Sequence, residues 1–260
     1  MLETAGTILN WAAAALILPL MALPLAALAA DRRWTSAIVS TALVTGLLLG
    51  GAVFIMLAPR VTLISDVFIR LPVAIAAALF VAVLTGLAGG ARHSTAQLAV
   101  FFDNVTRCAG RTVMWLIFAM AIVQFSVVIL RYVFGINFLA MQESITYMHG
   151  ALFLLAAGYA LLTNDHVRVD IFYREAPPRR KALIDFLGTY LFLFPFSLLI
   201  LWTSRPYVAR SWAVSEGSSE ASGIPALFLL KSCIPAFAVL MAMAGFVVAA
   251  RAIEILRERR

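Results

Sequence analysis

Residues 113–134 read VMWLIFAMAIVQFSVVILRYVF, and this stretch decides the fold class of the chain. Its one charged residue, Arg131, stands close to its end. An α-helix rises about 1.5 Å per residue, so about 20 apolar residues cross the hydrocarbon core of a bilayer. A helix also pairs its backbone polar groups internally, which lipid requires. The stretch therefore predicts a transmembrane helix.

The composition of the whole chain agrees with a membrane protein. Hydrophobic residues make up 63% of the 260 residues and charged residues 13%, whereas charged residues are about 25% of a typical soluble domain. A soluble fold of this size could not bury so much apolar surface. The same composition excludes disordered, collagen-like and disulfide-scaffold proteins. We therefore expect an all-α integral membrane protein.

Similar apolar runs lie on both sides of this stretch. The first run lacks the basic n-region of a signal peptide, so we interpret it as a retained helix. The chain is thus predicted to have about seven transmembrane helices. From the N-terminus, the predicted spans are Ile8–Ala30, Ser36–Ala58, Leu71–Gly90, Val113–Phe134, Ser144–Leu162, Leu183–Ser204 and Ile224–Ala250.

The basic residues between these runs predict an orientation. The net charge is +7, but the cations lie in loops rather than on one soluble face, so they do not indicate nucleic-acid binding. The first, third and fifth connections and the C-terminal tail together carry 14 Lys and Arg residues. The second, fourth and sixth connections carry 5. Cytoplasmic loops are enriched in Lys and Arg. The count predicts an outside N-terminus and an inside C-terminus.

The polar stretches predict three parts. Residues 1–91 would form a three-helix membrane extension, and residues 113–260 a four-helix unit. Residues 92–112 are the longest polar stretch before the fourth run, and their apolar residues recur at three- and four-residue spacing. Such a pattern indicates either an interfacial amphipathic linker helix or an extension of the following helix.

The sequence lacks the motifs of several membrane protein classes. It has no phosphate-binding GxxxxGK[ST] loop, no HExxH, no cysteine cluster and no GxSxG. The chain is therefore predicted not to be an enzyme and to have no catalytic residues, cofactor or metal site. Transport by this chain alone would need polar groups near mid-bilayer, and the fourth and fifth runs offer little beyond Gln124 and Ser126.

Five polar residues remain as candidate helix-end or subunit-contact residues. Glu143 stands at the start of the fifth run, where it could meet water or a neighbouring subunit. Lys231 lies seven residues into the last run, about 10 Å deep, so its ammonium must snorkel or pair. His166, Arg168 and Asp170 alternate with apolar residues after the fifth run.

Residues 166–202 carry a resemblance to a known family. They read HVRVDIFYREAPPRRKALIDFLGTYLFLFPFSLLILW. This segment resembles the central signature of the DctQ-like small membrane subunit of tripartite ATP-independent periplasmic (TRAP) transporters. The family motif is His-x-Arg-Val-Asp at the inner end of a helix, and His166, Arg168, Val169 and Asp170 match it.

The flanking segments extend this resemblance to about residues 97–253. Upstream, LRYVFGINFLAMQES at 130–144 is similar to the family. Downstream, EGSSEASGIPALFLLKSCIPAFAVLM at 216–241 resembles the mannitol/chloroaromatic branch. The resemblance implies a four-helix small-permease unit, here preceded by three extra helices.

The resemblance also implies a function and partners. The chain would be a non-catalytic scaffold that packs against a large permease subunit in the bacterial inner membrane. A periplasmic solute-binding protein would capture an organic acid or similar solute, and an ion gradient would drive uptake. The alternative is a self-contained polytopic transporter or channel, which flux by the purified chain alone would distinguish.

Overall fold

The computed structural model describes residues 23–24, 27, 90–166, 173–220 and 222–257, and these residues form an all-helical structure. The α-helices are α1 Gly90–Tyr132, α2 Leu139–Thr163, α3 Pro178–Gly188, α4 Phe194–Ala213 and α5 Leu227–Arg257. A π-helical turn, Thr189–Leu193, joins α3 to α4 without a break.

Four stretches of the described residues are long and apolar enough to cross a membrane. They overlap the last four predicted runs, and each extends beyond its run at one end or at both. The runs before residue 91 lie outside the described residues, apart from Leu23, Pro24, Ala27 and Gly90, so the count of seven remains a prediction. The four stretches are Thr95–Tyr132, Leu139–Thr163, Pro178–Ala213 and Leu227–Arg257.

The helices alternate in direction, and α5 is the central one. We call the end of the bundle that contains Gly90, Thr163, Pro178 and Arg257 the lower end, and the opposite end the upper end. α5 packs against α1, α2, α3, α4 and the π-helical turn. Its small side chains allow these close contacts, and most residues from Ala238 to Ile253 are buried.

Glycine makes the closest helix contacts possible. A Cβ at Gly158 of α2 would lie 2.9 Å from the Leu240 carbonyl oxygen of α5 and 3.1 Å from Thr106 Cγ2 of α1. A Cβ at Gly110 of α1 would overlap the Tyr159 side chain of α2. Without a hydrophobic driving force in lipid, helices associate through such close packing of small residues. α1, α2 and α5 therefore meet around Gly158.

Residues 92–112 belong to α1. The sequence left open a separate interfacial helix or an extension of the next helix, and the structure shows one helix from Gly90 to Tyr132. Its 43 residues make it roughly 65 Å long, about twice the bilayer core. Four of its five charged residues, Arg92, Asp103, Arg107 and Arg111, stand in the lower half, and Arg131 stands near the upper end. This distribution is typical of a helix whose lower half extends beyond the hydrocarbon core.

The helix ends follow from local chemistry. α1 stops where Gly135 adopts a φ of 66°, and the Ile136 N–H donates to the Leu130 carbonyl at 2.9 Å. α2 stops at Asn164, whose φ is 61°, and the Asp165 N–H donates to Ala160 at 2.9 Å. These left-handed residues satisfy the free carbonyls of the last helical turn.

The π-helical turn immediately precedes a proline. Pro195 has no N–H, and its ring would crowd the carbonyl four residues earlier in a regular α-helix. A π turn widens the backbone at such a place, and the Phe194 N–H accordingly donates to the Thr189 carbonyl. Leu193, in this turn, packs closely against Gly245 of α5. A Cβ on Gly245 would lie only 2.4 Å from Leu193 Cδ2. The predicted sixth span therefore contains a local widening that its apolar pattern does not reveal.

Candidate functional site

The main polar site of the described residues lies at the upper end, where residues 214–226 connect α4 to α5. Glu143, in the first turns of α2, binds this loop with both carboxylate oxygens. Its Oε2 accepts the Ile224 N–H at 2.7 Å, and its Oε1 accepts the Ser218 hydroxyl. The Tyr147 hydroxyl, one turn further along α2, donates to the Ile224 carbonyl at 3.4 Å. We call residues 214–226 the upper loop.

A glycine makes this contact possible. A Cβ on Gly223 would lie 2.6 Å from Glu143 Oε2 and 2.4 Å from Ser218 Cβ. No side chain fits there without displacing the carboxylate or the serine. Within the loop, the Ser218 N–H donates to the Ile224 carbonyl at 3.0 Å, so the two ends of this turn are also joined by backbone.

Lys231 of α5 binds the same loop from the other side. Its Nζ lies 2.5 Å from Glu216 Oε2 and 4.1 Å from the centre of the Tyr207 ring of α4. The ammonium therefore has both an anionic and an aromatic partner, as a cation at membrane depth requires. The pKa of the Glu216 carboxyl lies below its ordinary value, mainly because the carboxylate accepts a hydrogen bond from Lys231.

Contacts between α4 and α5 support this pair. The Trp212 indole N–H donates to the Ser232 hydroxyl at 2.8 Å. The Trp212 and Phe228 rings meet edge to face with centroids 4.9 Å apart. The Phe228 N–H donates to the Glu216 carbonyl at 3.2 Å. Glu216 is thus held by its backbone and by its side chain.

A second polar cluster lies near the lower end, between α1 and α5. The two carboxylate oxygens of Asp103 bind two cations: Oδ2 lies 2.7 Å from Arg107 Nε, and Oδ1 lies 2.8 Å from an Arg251 Nη. Arg107 is one turn along the same helix, whereas Arg251 is on α5. Asp103 therefore joins the two helices.

The structure describes three of the five sequence-predicted residues, and it does not bring these three together in one cluster. Glu143 and Lys231 both bind the upper loop but do not share a direct partner. His166 lies at the lower end, where its Nε2 is 3.2 Å from the Ala157 carbonyl oxygen. Arg168 and Asp170 lie outside the described residues.

Sequence reasoning did not single out several residues of these clusters. Ser218 and Tyr207 complete the upper site, and no spacing rule connects them to Glu143 or Lys231. Glu216 entered the sequence analysis only as part of the family-like segment 216–241, without a partner. The one local signal was the four-residue separation of Asp103 and Arg107 on a helix. The partner on α5 is 148 residues away in sequence, so only the fold reveals it.

The chemistry of these sites is that of fixed helix and loop contacts. Within the described ranges, no group of three or more His, Cys, Asp or Glu side chains could hold a metal ion. Glu143, Glu216 and Asp103 each accept hydrogen bonds from another element of the chain. The geometry suits these carboxylates to holding helices and the upper loop in position.

Residues 120–255 match the family model described as the DctQ component of tripartite ATP-independent periplasmic transporters. The match covers more than half of the 260 residues and runs from the middle of α1 to the last turn of α5. The chain belongs to this family. No curated protein and no solved structure matches it.

As a DctQ component, the chain is the small membrane subunit of a TRAP transporter. The four apolar stretches fit a multi-pass protein of the bacterial inner membrane. The family is a class of transporter components, not of enzymes, and it implies association with a large permease and a solute-binding protein. The matched range includes the upper loop, Glu143 and Lys231, and it excludes residues 1–119.

Proposed function

We propose that the protein is a non-catalytic scaffold subunit of a secondary, ion-gradient-driven TRAP transporter that imports an organic acid or similar small solute. In this proposal the large permease carries the solute and ion sites, and the periplasmic binding protein delivers the solute. The mannitol/chloroaromatic branch remains our proposal for the subfamily, on the pattern of residues 216–241.

The observation that carries the proposal is an exposed face on the upper half of α1. Trp115, Phe118, Ile122 and Phe125 are all exposed there and follow one another at three- and four-residue spacing. Side chains at this spacing form the seam between two packed helices. The most apolar part of α1 has no buried residue within the bundle. We name these four residues the α1 seam and propose that a helix of the large permease packs on it.

Gln124 favours a protein partner over lipid on a second exposed face of α1, because one residue step from Phe125 turns about 100° around the helix. Its side chain is exposed beside Phe125, near the middle of the predicted span 113–134. An amide in hydrocarbon is costly unless it finds a hydrogen-bond partner, and interhelical hydrogen bonds are a common solution in membranes. A permease helix could supply such a partner, whereas lipid tails could not.

The contacts of the charged residues support a scaffold rather than a transport path. Glu143, Glu216 and Lys231 bind elements of their own chain at the upper end, and Asp103 does so near the lower end. We propose that Glu143 and Lys231 act by fixing the upper loop. For His166, Arg168 and Asp170 the proposal remains a helix-end or subunit-contact role.

The distribution of cations supports an orientation with the lower end in the cytoplasm. In the described residues, Arg107, Arg111 and Arg251 stand towards the lower end, as do the basic residues 179–181 at the start of α3. Fewer Lys and Arg residues stand near the upper end. The positive-inside rule then places the upper loop outside. In this orientation the three proposed N-terminal helices would begin in the periplasm.

The α1 seam can be tested by co-purification with the large permease. The full chain carrying Gln124→Leu, or Phe118→Ala with Phe125→Ala, is expressed with its native operon and recovered by a C-terminal tag. We expect both variants to recover clearly less permease and to lower solute uptake. Gln124→Leu tests the second face separately: it makes the helix more compatible with lipid, so unchanged recovery would mean that Gln124 does not contact the permease.

Phe153→Ala serves as the matched control, because Phe153 is an equally exposed aromatic residue on α2. Normal permease recovery with the Phe118→Ala, Phe125→Ala variant, or an equal loss with the control, would contradict the proposed seam. Solute flux by the purified chain alone in liposomes would contradict the scaffold proposal and favour a self-contained transporter or channel.

A further inference from the structure

Three residues of the N-terminal region, Leu23, Pro24 and Ala27, are buried against the lower end of the four-helix unit. Leu23 belongs to the same hydrophobic cluster as Phe102 of α1 and Phe246 of α5. These two aromatic rings meet edge to face, with centroids 5.3 Å apart. Leu23 and Phe102 precede the range that matches the DctQ family model, which begins at residue 120, whereas Phe246 lies within it.

Two side chains from different helices bind the backbone of this short segment. The Thr95 hydroxyl, near the start of α1, donates to the Leu23 carbonyl at 3.3 Å. The Arg257 guanidinium, at the end of α5, donates to the Ala27 carbonyl. Thr95 is itself buried, so its hydroxyl needs such a partner. The segment therefore contacts α1 and α5 at once.

Phe102 is buried although its neighbour in sequence, Phe101, is exposed. Phe101, the next residue on α1, is 57% exposed, whereas Phe102 is 5% exposed. Phe102 faces Phe246 and lies in the cluster that contains Leu23. The segment thus contacts the four-helix unit in two ways: Leu23 packs in the apolar cluster, and the Leu23 and Ala27 carbonyls accept hydrogen bonds.

We propose that Leu23, Pro24 and Ala27 form a staple that joins α1 to α5 at the lower end, so that the N-terminal extension is a structural part of the four-helix unit. The staple acts beside the Asp103–Arg251 ion pair, which joins the same two helices. A lipid-facing appendage would not place Leu23 in the cluster of Phe102 and Phe246 or its carbonyl within reach of the Thr95 hydroxyl. The inference does not depend on the proposed seam for the permease.

Cysteine cross-linking tests the staple in the full-length chain. In a background with Cys108→Ser and Cys233→Ser, the pair Leu23→Cys with Thr95→Cys is oxidised in membranes with iodine, a small oxidant that reaches shielded thiols and joins them directly as a disulfide. We expect an intramolecular cross-link, identified by peptide mass. The control pair joins Leu23→Cys to Trp115→Cys, since Trp115 lies on the exposed upper half of α1. No cross-link with Thr95→Cys, or an equal yield with the control pair, would overturn the staple.

A double-mutant cycle provides a second readout. Leu23→Ala and Phe102→Ala are each expected to lower the Tm of the purified chain, because both remove atoms from one cluster. Together they should lower it by less than the sum of the single shifts, since residues in one cluster are coupled. Leu23→Ala combined with the remote Phe153→Ala should be additive. Additive shifts for Leu23 and Phe102 would argue against the staple.

Discussion

At the scale of single residues, the upper loop depends on two charged side chains that bind it from opposite sides. Glu143 accepts hydrogen bonds from Ser218 and Ile224. Lys231 reaches Glu216 and Tyr207. A partly buried backbone N–H that loses its acceptor destabilises the fold. The polar residues that the sequence marked as unusual are thus explained by the loop that they hold.

Replacing Glu143 should loosen this loop. Glu143→Ala leaves the Ile224 N–H and the Ser218 hydroxyl without their acceptor, so we expect a Tm several degrees below the wild type. Glu143→Gln keeps an oxygen acceptor and should recover much of the loss. Thermal unfolding of the detergent-purified proteins measures both effects. Equal Tm values for Glu143→Ala and the wild type would contradict the role assigned to this carboxylate.

The two partners of the Lys231–Glu216 pair should not be equivalent. The Lys231 side chain is 12% exposed and that of Glu216 is 34% exposed. Glu216→Ala leaves a shielded ammonium with an aromatic ring as its remaining partner, while Lys231→Met leaves a carboxylate that can reach water. We therefore expect a lower Tm for Glu216→Ala than for Lys231→Met. The reverse order would show that burial does not govern the pair.

The lowered pKa of Glu216 predicts a pH dependence. A carboxyl whose pKa is lower in the folded state stabilises that state above its unfolded pKa, which is about 4.3. This stability is lost as the pH falls through the lower, folded pKa. The Tm of the wild type should therefore fall more steeply below about pH 4.3 than that of Glu216→Gln. Parallel pH profiles of the two proteins would refute this contribution.

At the scale of the elements, glycine position determines how closely the helices approach. Gly158 lies where α1, α2 and α5 meet, and a Cβ there would touch the Leu240 carbonyl. Gly188, where α3 ends, has no atom within 4 Å of such a Cβ. Both glycines lie in stretches that are long and apolar enough to cross a membrane, so position in a span does not distinguish them.

These two glycines form a matched pair of variants. Gly158→Ala should destabilise the bundle by about 1–3 kcal/mol, because backbone cannot move aside as a flexible side chain can. Gly188→Ala should be neutral or stabilise the chain by up to about 1 kcal/mol, since alanine is the better helix former. Denaturant or thermal unfolding compares them. A destabilisation of similar size at both positions would mean that helix contact at Gly158 is not limiting.

At the scale of the whole molecule, α5 is the axis around which the described helices assemble. It contacts all the others. The upper loop closes one end of the bundle, and the Asp103–Arg251 pair with the proposed staple joins α1 to α5 near the other. The upper half of α1 is left with a long exposed apolar face, on which we propose that the permease packs.

The proposed orientation can be checked with single cysteines. Cys108 is exposed on the lower half of α1, and Ser219 is exposed in the upper loop. In spheroplasts, a membrane-impermeant maleimide should label Ser219→Cys in a background lacking Cys108 and Cys233. It should label Cys108 only after permeabilisation, in a Cys233→Ser background. Labelling of Cys108 in intact spheroplasts would reverse the orientation.

The sequence by itself determined the membrane class, the four apolar helices of the DctQ unit and the family. These properties depend on local hydrophobic length and on motifs whose residues are close in the chain. Helix boundaries were less well predicted, because α1 and α2 continue through polar residues beyond their apolar runs. The π-helical turn was not predicted, since Pro195 permits several local distortions.

The tertiary structure alone decided which polar residues meet. Glu143 and Ile224 are 81 positions apart, and Asp103 and Arg251 are 148 apart. A helical repeat shows which face a residue occupies but not which helix faces it. The way the helices pack around α5 determines the partners of Glu143, Lys231 and Asp103. This packing depends on contacts of small residues such as Gly158 with helices that are distant in sequence, and no local pattern encodes those contacts.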